Sequence, residues 1–194
     1  MQSQAKKFTR IDTHDAQTFG NRYKRTYVLK RFTTEDGIEH EFTTIGKEGE
    51  RAGAVLALTP DKKIVTVYQF RAGPERWMHD MPGGGIFSDE DPQLGVLREL
   101  KEETGYVPGT VEFLGTSSRD AYLNITWFYY FAMDCVLSES GRELDAEEND
   151  QGAQVRLISI EEFIDNAMHD RMSDPHAVLM AYKRLMKLKG EKDD

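Results

Sequence analysis

The chain opens with about 20 mainly polar residues, then passes into short runs where apolar and β-branched residues predominate. The stretch "RYKRTYVLKRFTTEDGIEHEFTTIGKE" carries two such runs around Asp36-Gly37, a dipeptide that suits the positive-φ positions of a hairpin turn. Two more runs, "AGAVLALT" and "KIVTVYQF", are parted by "PDKK", another turn. Together they predict antiparallel β structure, preceded by a loosely held tail over residues 1 to 20. From Asp91 the period lengthens. Asp91 can cap a helix, Pro92 suits its first position, and Gly105 suits the left-handed residue that ends it. Leu94, Leu97 and Leu100 fall on one face at about 100° per residue and predict the side anchored to a sheet.

Beyond this helix, "TVEFLGTSS" and "ITWFYYFAMDCVL" predict strands, the second apolar enough to be central, and "QVRLISI" predicts another. "IEEFIDNAM" reads as a short helix and "SDPHAVLMAYKRLMKLK" as a longer one. Ser173 or Asp174 stands near the cap of the longer helix, Pro175 in its first turn, and Val178, Tyr182 and Leu185 form its packed stripe. Between the last strands, "SESGRELDAEENDQGA" is polar without either period, and such a loop in a compact domain is often functional. The predicted class is α+β: a mixed β-sheet flanked by helices over 51–194, with an N-terminal antiparallel β extension over 1–50.

With 39% hydrophobic and 30% charged residues among 194, the chain has the makings of a real core. A net charge of -9 argues against DNA or RNA as a partner, while a small anionic substrate remains open because a cation can bridge acid to anion. The lone Cys135 lies in an apolar run, which predicts a buried thiol and excludes a disulfide framework within the chain. The start, "MQSQAKKFTRIDTHD", lacks the apolar stretch of a signal peptide, and no window approaches the roughly 20 apolar residues of a membrane span. A cytoplasmic protein with no membrane partner is the expectation.

Glu99, Glu102 and Glu103 lie opposite the leucines, within about 100° of one another. Like charges so spaced cost about 0.2–0.5 kcal/mol per pair, and a chain does not need them in order to fold. A solvated acidic face is the plainer reading; a cation among the carboxylates is the chemical one, and hard oxygen donors suit Mg²⁺ or Mn²⁺. The neighbouring residues bear on the choice. Gly84, Glu90, Arg98, Glu99, Leu100, Glu102, Glu103, Gly105 and Tyr106 spell G-x5-E-x7-R-E-U-x-E-E-x-G-U, where U is a bulky apolar residue. This resembles the box of the Nudix hydrolases at every polar and glycine position; Tyr106 stands where an aliphatic residue is more usual.

The resemblance implies a Nudix fold, with the box as loop, helix and loop. It also implies hydrolysis of a nucleoside diphosphate linked to another moiety, using Mg²⁺ or Mn²⁺. Glu99 and Glu103 would be the main metal ligands, Glu102 an additional ligand in the catalytic set, and a backbone carbonyl near Gly83 a further oxygen. Glu90 and Arg98 would pair and orient the acidic helix. Some members place the catalytic base on a loop after the long central strand, where this chain offers Glu148 and Asp150 in "EEND".

"VYQFRAGPERWMHDMPGG" resembles the ADP-ribose pyrophosphatase branch, in which a strand ends in Gln69, Phe70 and Arg71 and the box follows Asp80, Met81 and Pro82. Arg71 would bind phosphate as a fixed donor, with Asp80 beside it. Residues 22 to 45 resemble that branch's extension, which helps build a homodimer. The branch often carries a proline beyond the box; here "SSRDAYLN" has none and offers Tyr122, reminiscent of dinucleoside polyphosphate hydrolases, as another substrate contact. Trp77 and Trp127 suit base stacking or a core, and His79 lacks a partner motif. The expected activity is Mg²⁺-dependent hydrolysis of ADP-ribose or a related nucleoside diphosphate sugar. Dinucleoside polyphosphate hydrolysis and a nucleotide-sensing Nudix-fold binder are the alternatives.

Overall fold

The computed structural model describes residues 5–20, 24–142 and 152–190, the side chains of 14–17 excepted. The chain divides into two compact units, Met1–Glu50 with Ser118–Thr126, and Arg51–Ser117 with Trp127–Asp194. In the first unit, β1 (Phe8–Phe19), β2 (Arg25–Thr34) and β3 (Glu39–Ile45) form an antiparallel sheet in that order. Asp36 and Gly37 make the β2–β3 turn, with Gly37 at φ 76°. Residues 118–126 return to this unit: Ile45 N–H donates to the Tyr122 carbonyl and Asn124 N–H to the Ile45 carbonyl, both at 2.8 Å. The expected loose tail is mostly strand. Pairing with β2 satisfies one edge of its backbone, and Phe8 sits against Phe32, His40 and Phe42, contacts that a local polar pattern does not reveal.

The second unit is built on β4 (Arg51–Leu58), β5 (Lys63–Arg71), β6 (Arg76–Asp80), β7 (Gly83–Ile86), β9 (Thr110–Ser117), β10 (Thr126–Met133) and β12 (Gln154–Ser159). The strand order is β12-β5-β4-β10-β9, with β6 paired to β5 and β7 to β4. β12 and β4 each run antiparallel to β5, and β10 runs antiparallel to β9. β4 and β10 ascend together, for Gly53 lies against the Phe128 carbonyl and Leu58 accepts from Cys135 N–H, which makes the sheet mixed. A short pair, β8 (Tyr106–Val107) with β11 (Val136–Leu137), follows the acidic helix in space.

Among the described residues, three helices cover the two faces. α1 (Pro92–Thr104) packs Val96 and Leu100 against Val55, Ala57, Val65, Tyr130 and Ala132. α2 (Ile160–Met168) and α3 (His176–Gly190) bring Phe163, Val178, Ala181 and Leu185 to Leu56, Leu58, Ile64, Tyr129 and Phe131. Alternate residues of β4 and β10 thus enter opposite cores, which is why both strands are apolar beyond their first residue. Two expected faces shift. Leu94 is 63% exposed, and Gly95, Val96 and Leu100 form the buried side of α1 instead. In α3 the packed residues are Ala177, Val178, Ala181 and Leu185, while Tyr182 faces solvent. In α1 the buried glycine makes room for Glu90, and in α3 two alanines take much of the packed side, choices that hydrophobicity alone does not signal.

Candidate functional site

α1 begins where Asp91 accepts from the N–H groups of Gln93 and Leu94, and it ends at Gly105, φ 78°. These local caps fix the helix phase and with it the outward direction of Glu99, Glu102 and Glu103. Arg98 lies among the acids. Its Nε donates to Glu90 Oε1 at 3.2 Å, and its Nη1 to Glu99 Oε1 at 2.8 Å and Glu102 Oε2 at 2.9 Å. Its Nη2 reaches the Gly85 carbonyl at 3.2 Å, and the guanidinium lies 5.0 Å from the Phe87 ring centroid. Burial works against the Arg98 charge, but its bonds to Glu90, Glu99 and Glu102 outweigh that and push its pKa up. Bonds from Arg98 and from the Phe87 N–H hold Glu90 below the ordinary carboxylate range.

β7 supplies the floor. Gly83 N–H donates to Glu103 Oε2 at 2.8 Å. A Cβ on Gly83 would lie 2.2 Å from the Gly53 carbonyl oxygen, and one on Gly84 would lie 2.8 Å from the Glu99 carboxyl carbon. The glycines therefore bring a strand against β4 and leave room for the Glu99 carboxylate.

Two further residues serve the same end. A Cβ on Gly95 would meet Glu90 Oε2 at 2.8 Å, so the bare helix backbone accommodates that carboxylate. The signal was a glycine inside a helix, which costs about 1 kcal/mol against alanine and calls for a reason. Arg51 donates to the Glu90 carbonyl at 2.9 Å and to the Phe87 carbonyl, pinning the loop ahead of α1. It lies far from the box in sequence, so spacing could not find it.

The other expected residues fall into three groups. Gln69 and Arg71 share the face of β5 that carries Val65, the face covered by α1. Asp80, buried on β6, accepts at Oδ2 from Gln69 Nε2 at 3.0 Å and from Arg71 Nε at 2.7 Å, with Arg71 Nη2 at 2.6 Å. Tyr122 belongs to the other compact unit. Glu148 and Asp150 lie outside the described residues. Of the aromatic candidates, Trp77 is partly exposed and stacks on Tyr68, and Trp127 packs against the core beneath α2 and α3. His79 is buried with Nδ1 3.0 Å from Thr66 Oγ1; burial first, then the charge of Arg156, pushes its pKa down.

The oxygen donors around α1 fit a hard divalent cation in chemistry: carboxylates on one helix face beside a close backbone strand, two of them now accepting from the Arg98 guanidinium. In the present arrangement those carboxylates face Arg98 and Gly83. Among the described residues no three His, Cys, Asp or Glu side chains are grouped as a metal cluster. Among the same residues no helix is long and apolar enough to cross a membrane.

A mixed sheet between helices, with this acidic loop-helix-loop on one face, defines a known class, and the NUDIX domain profile matches residues 48–182: the chain belongs to the Nudix hydrolase family. Over 111 residues it is 34% identical to the ADP-ribose pyrophosphatase of Bacillus subtilis (strain 168), covering 55% of this chain and 58% of that protein. Over 98 residues it is 35% identical to the methanol dehydrogenase activator of Bacillus methanolicus, covering 50% of this chain and 53% of the other. The alignments thus span only a little over half the length of these curated relatives. A solved structure of an ADP compounds hydrolase superposes with a TM-score of 0.75, covering 95% of this chain and 96% of that one at 17% identity, a likeness of fold.

Proposed function

We propose that this protein hydrolyses the diphosphate bond of ADP-ribose, or of a related nucleoside diphosphate sugar, to a nucleoside monophosphate and a sugar phosphate. The observation that carries the reading is the pairing, on one face of one sheet, of an acidic helix with an arginine held by a buried carboxylate. Arg71 spends Nε and one Nη2 hydrogen on Asp80, which leaves its other N–H groups for phosphate oxygens. The 34% identity to an ADP-ribose pyrophosphatase favours that substrate class.

Glu99, Glu102, Glu103 and the backbone at Gly83 would hold Mg²⁺ or Mn²⁺. When bound, such an ion neutralises the diphosphate and lowers the pKa of the attacking water. The chain's own residues do the rest. Arg51, Glu90 and Arg98 fix the helix that presents the carboxylates. Arg71 orients the diphosphate for in-line attack. Glu148 or Asp150 accepts the water's proton as its oxygen joins one phosphorus and the bridging oxygen leaves with the other. Asp80, buried and paired with Arg71, acts on the substrate through it.

The 12-residue β1 is an open edge among the described residues, and Phe8, Ile11 and Phe19 on it are exposed. Edges of that length are commonly paired or covered, which supports a homodimer formed through this unit. The test is a panel of ADP-ribose, other nucleoside diphosphate sugars and dinucleoside polyphosphates with Mg²⁺, read by product mass. AMP and ribose 5-phosphate are the expected products. A higher kcat/KM for dinucleoside polyphosphates, or no turnover of any diphosphate, would overturn the reading.

A further inference from the structure

We infer that Ser173, which lies just ahead of α3 and far from the box in sequence, is a positioning residue for substrate binding, acting through Asp80 on Arg71. The inference rests on the reading that Arg71 binds the diphosphate.

Asp80 has two oxygens, and both are used. Oδ2 takes Gln69 and Arg71; Oδ1 accepts from the Ser173 hydroxyl. The Asp80 side chain is 4% exposed and that of Arg71 is 43% exposed, so the carboxylate is the buried root of an arginine whose far edge meets solvent. A carboxylate with one oxygen committed can still rotate about its last bond. A donor on the second oxygen removes that freedom and fixes the plane in which the guanidinium lies.

Ser173 is itself held from both sides. His79 N–H donates to the Arg171 carbonyl at 2.9 Å, and Ser173 N–H donates to the His79 carbonyl at 3.2 Å. Residues 171–173 thereby run beside β6 as a short parallel bridge, His79 opposite Met172, which sets Ser173 next to Asp80. Asp174, the next residue, is buried. Its Oδ2 accepts from the Tyr129 hydroxyl at 2.6 Å, and its Oδ1 from His176 N–H at 3.0 Å, with His176 Nδ1 2.7 Å away. Tyr129 is a fully buried residue of β10, the strand beside β4 in the sheet. The segment ahead of α3 is thus tied to the sheet on one side and to the core on the other, and one hydroxyl carries that rigidity to Arg71. Thermodynamically this lowers the ordering cost of binding, so the effect belongs in KM.

The experiment uses the full chain and ADP-ribose with Mg²⁺. Ser173→Ala is expected to raise KM about three- to tenfold, less than the full worth of a hydrogen bond to a carboxylate because Gln69 and Arg71 still hold the other oxygen, with kcat within about twofold. Ser173→Thr, which restores the hydroxyl at an exposed position, is expected to return KM to the parent value. In an Arg71→Ala background the alanine change at Ser173 should add nothing to KM, because the group through which it acts is gone. A general loosening of the fold would raise KM in both backgrounds and would not be rescued by threonine. An unchanged KM in Ser173→Ala, or an equal increase in both backgrounds, overturns the inference and leaves the Arg71 reading standing. An unchanged KM in Arg71→Ala overturns that reading and the inference with it.

Discussion

The three glycines of "MPGGG" should separate fold from function residue by residue. A Cβ at Gly83 would lie 2.2 Å from the Gly53 carbonyl oxygen and 2.7 Å from Ala54 Cα, both backbone atoms of the central strand β4. Backbone in a strand paired on both edges cannot step aside, so Gly83→Ala should cost about 2–3 kcal/mol, within the range for overpacked cores. For a chain of this length that is a fall in Tm of roughly 5–10 °C. At Gly84 the three nearest atoms belong to the Glu99 carboxylate, at 2.8 to 2.9 Å. They form the end of a flexible side chain, so Gly84→Ala should cost under about 1 kcal/mol of stability. The carboxylate must nevertheless retreat by roughly half an ångström to reach ordinary contact distance. Misplacement on the ångström scale can cost about 100-fold in rate, so a fall in kcat of about 10- to 50-fold is expected, with weaker Mg²⁺ binding. A Cβ at Gly85 would meet nothing within 4 Å, and Gly85→Ala should change neither quantity. The assays are thermal melts without metal, Mg²⁺ titration calorimetry, and kcat on ADP-ribose. A Gly84→Ala enzyme with parental kcat and Mg²⁺ affinity, or a Gly85→Ala enzyme as damaged as Gly84→Ala, would refute the placement of Glu99 against β7 as a functional contact.

Glu103→Gln keeps an acceptor for the Gly83 N–H but removes a charge; kcat should fall at least about 100-fold while the metal-free Tm holds or rises, and parental activity, or full turnover in excess EDTA, would count against the mechanism. If Glu148 or Asp150 is the base, its amide variant should lose kcat and keep Mg²⁺ and ADP-ribose affinity; unaltered turnover in both single variants and in the double variant would remove the loop from the chemistry. His79 gives a pH signature of stability. Burial, together with Arg156 on β12 and Arg171 ahead of α3, lowers its folded pKa from 6.5, with Glu162 on α2 acting in the opposite sense. Below about 6.5 the unfolded chain therefore binds the proton more readily, so this contribution is complete above that pH and is lost as pH falls through the folded value. Tm measured from pH 7.5 down to 5.5 should drop less steeply in His79→Gln than in the parent, and equal slopes would exclude the effect.

Sequence alone determined what is encoded locally. Asp91, Pro92 and Gly105 fix where α1 starts and stops, and a helix so fixed must group Glu99, Glu102 and Glu103, because its period is set by backbone hydrogen bonds within a few residues. The Asp36-Gly37 hairpin and the order of most strands are legible for the same reason. The tertiary structure decided whatever depends on a partner distant in the chain. Leu94 looks like an anchor until packing gives the buried side to Gly95 and Val96. Residues 8–19 look like a tail until β2 pairs with them. "MPGGG" looks like a loop until β4 supplies an edge for it. Asp80 reads as a residue facing the substrate, yet Gln69, Arg71 and Ser173 converge on it and bury it. Arg51 and Ser173 carry no motif at all. A hydrogen bond needs only proximity and direction, and for residues so far apart along the chain the folded sheet supplies both.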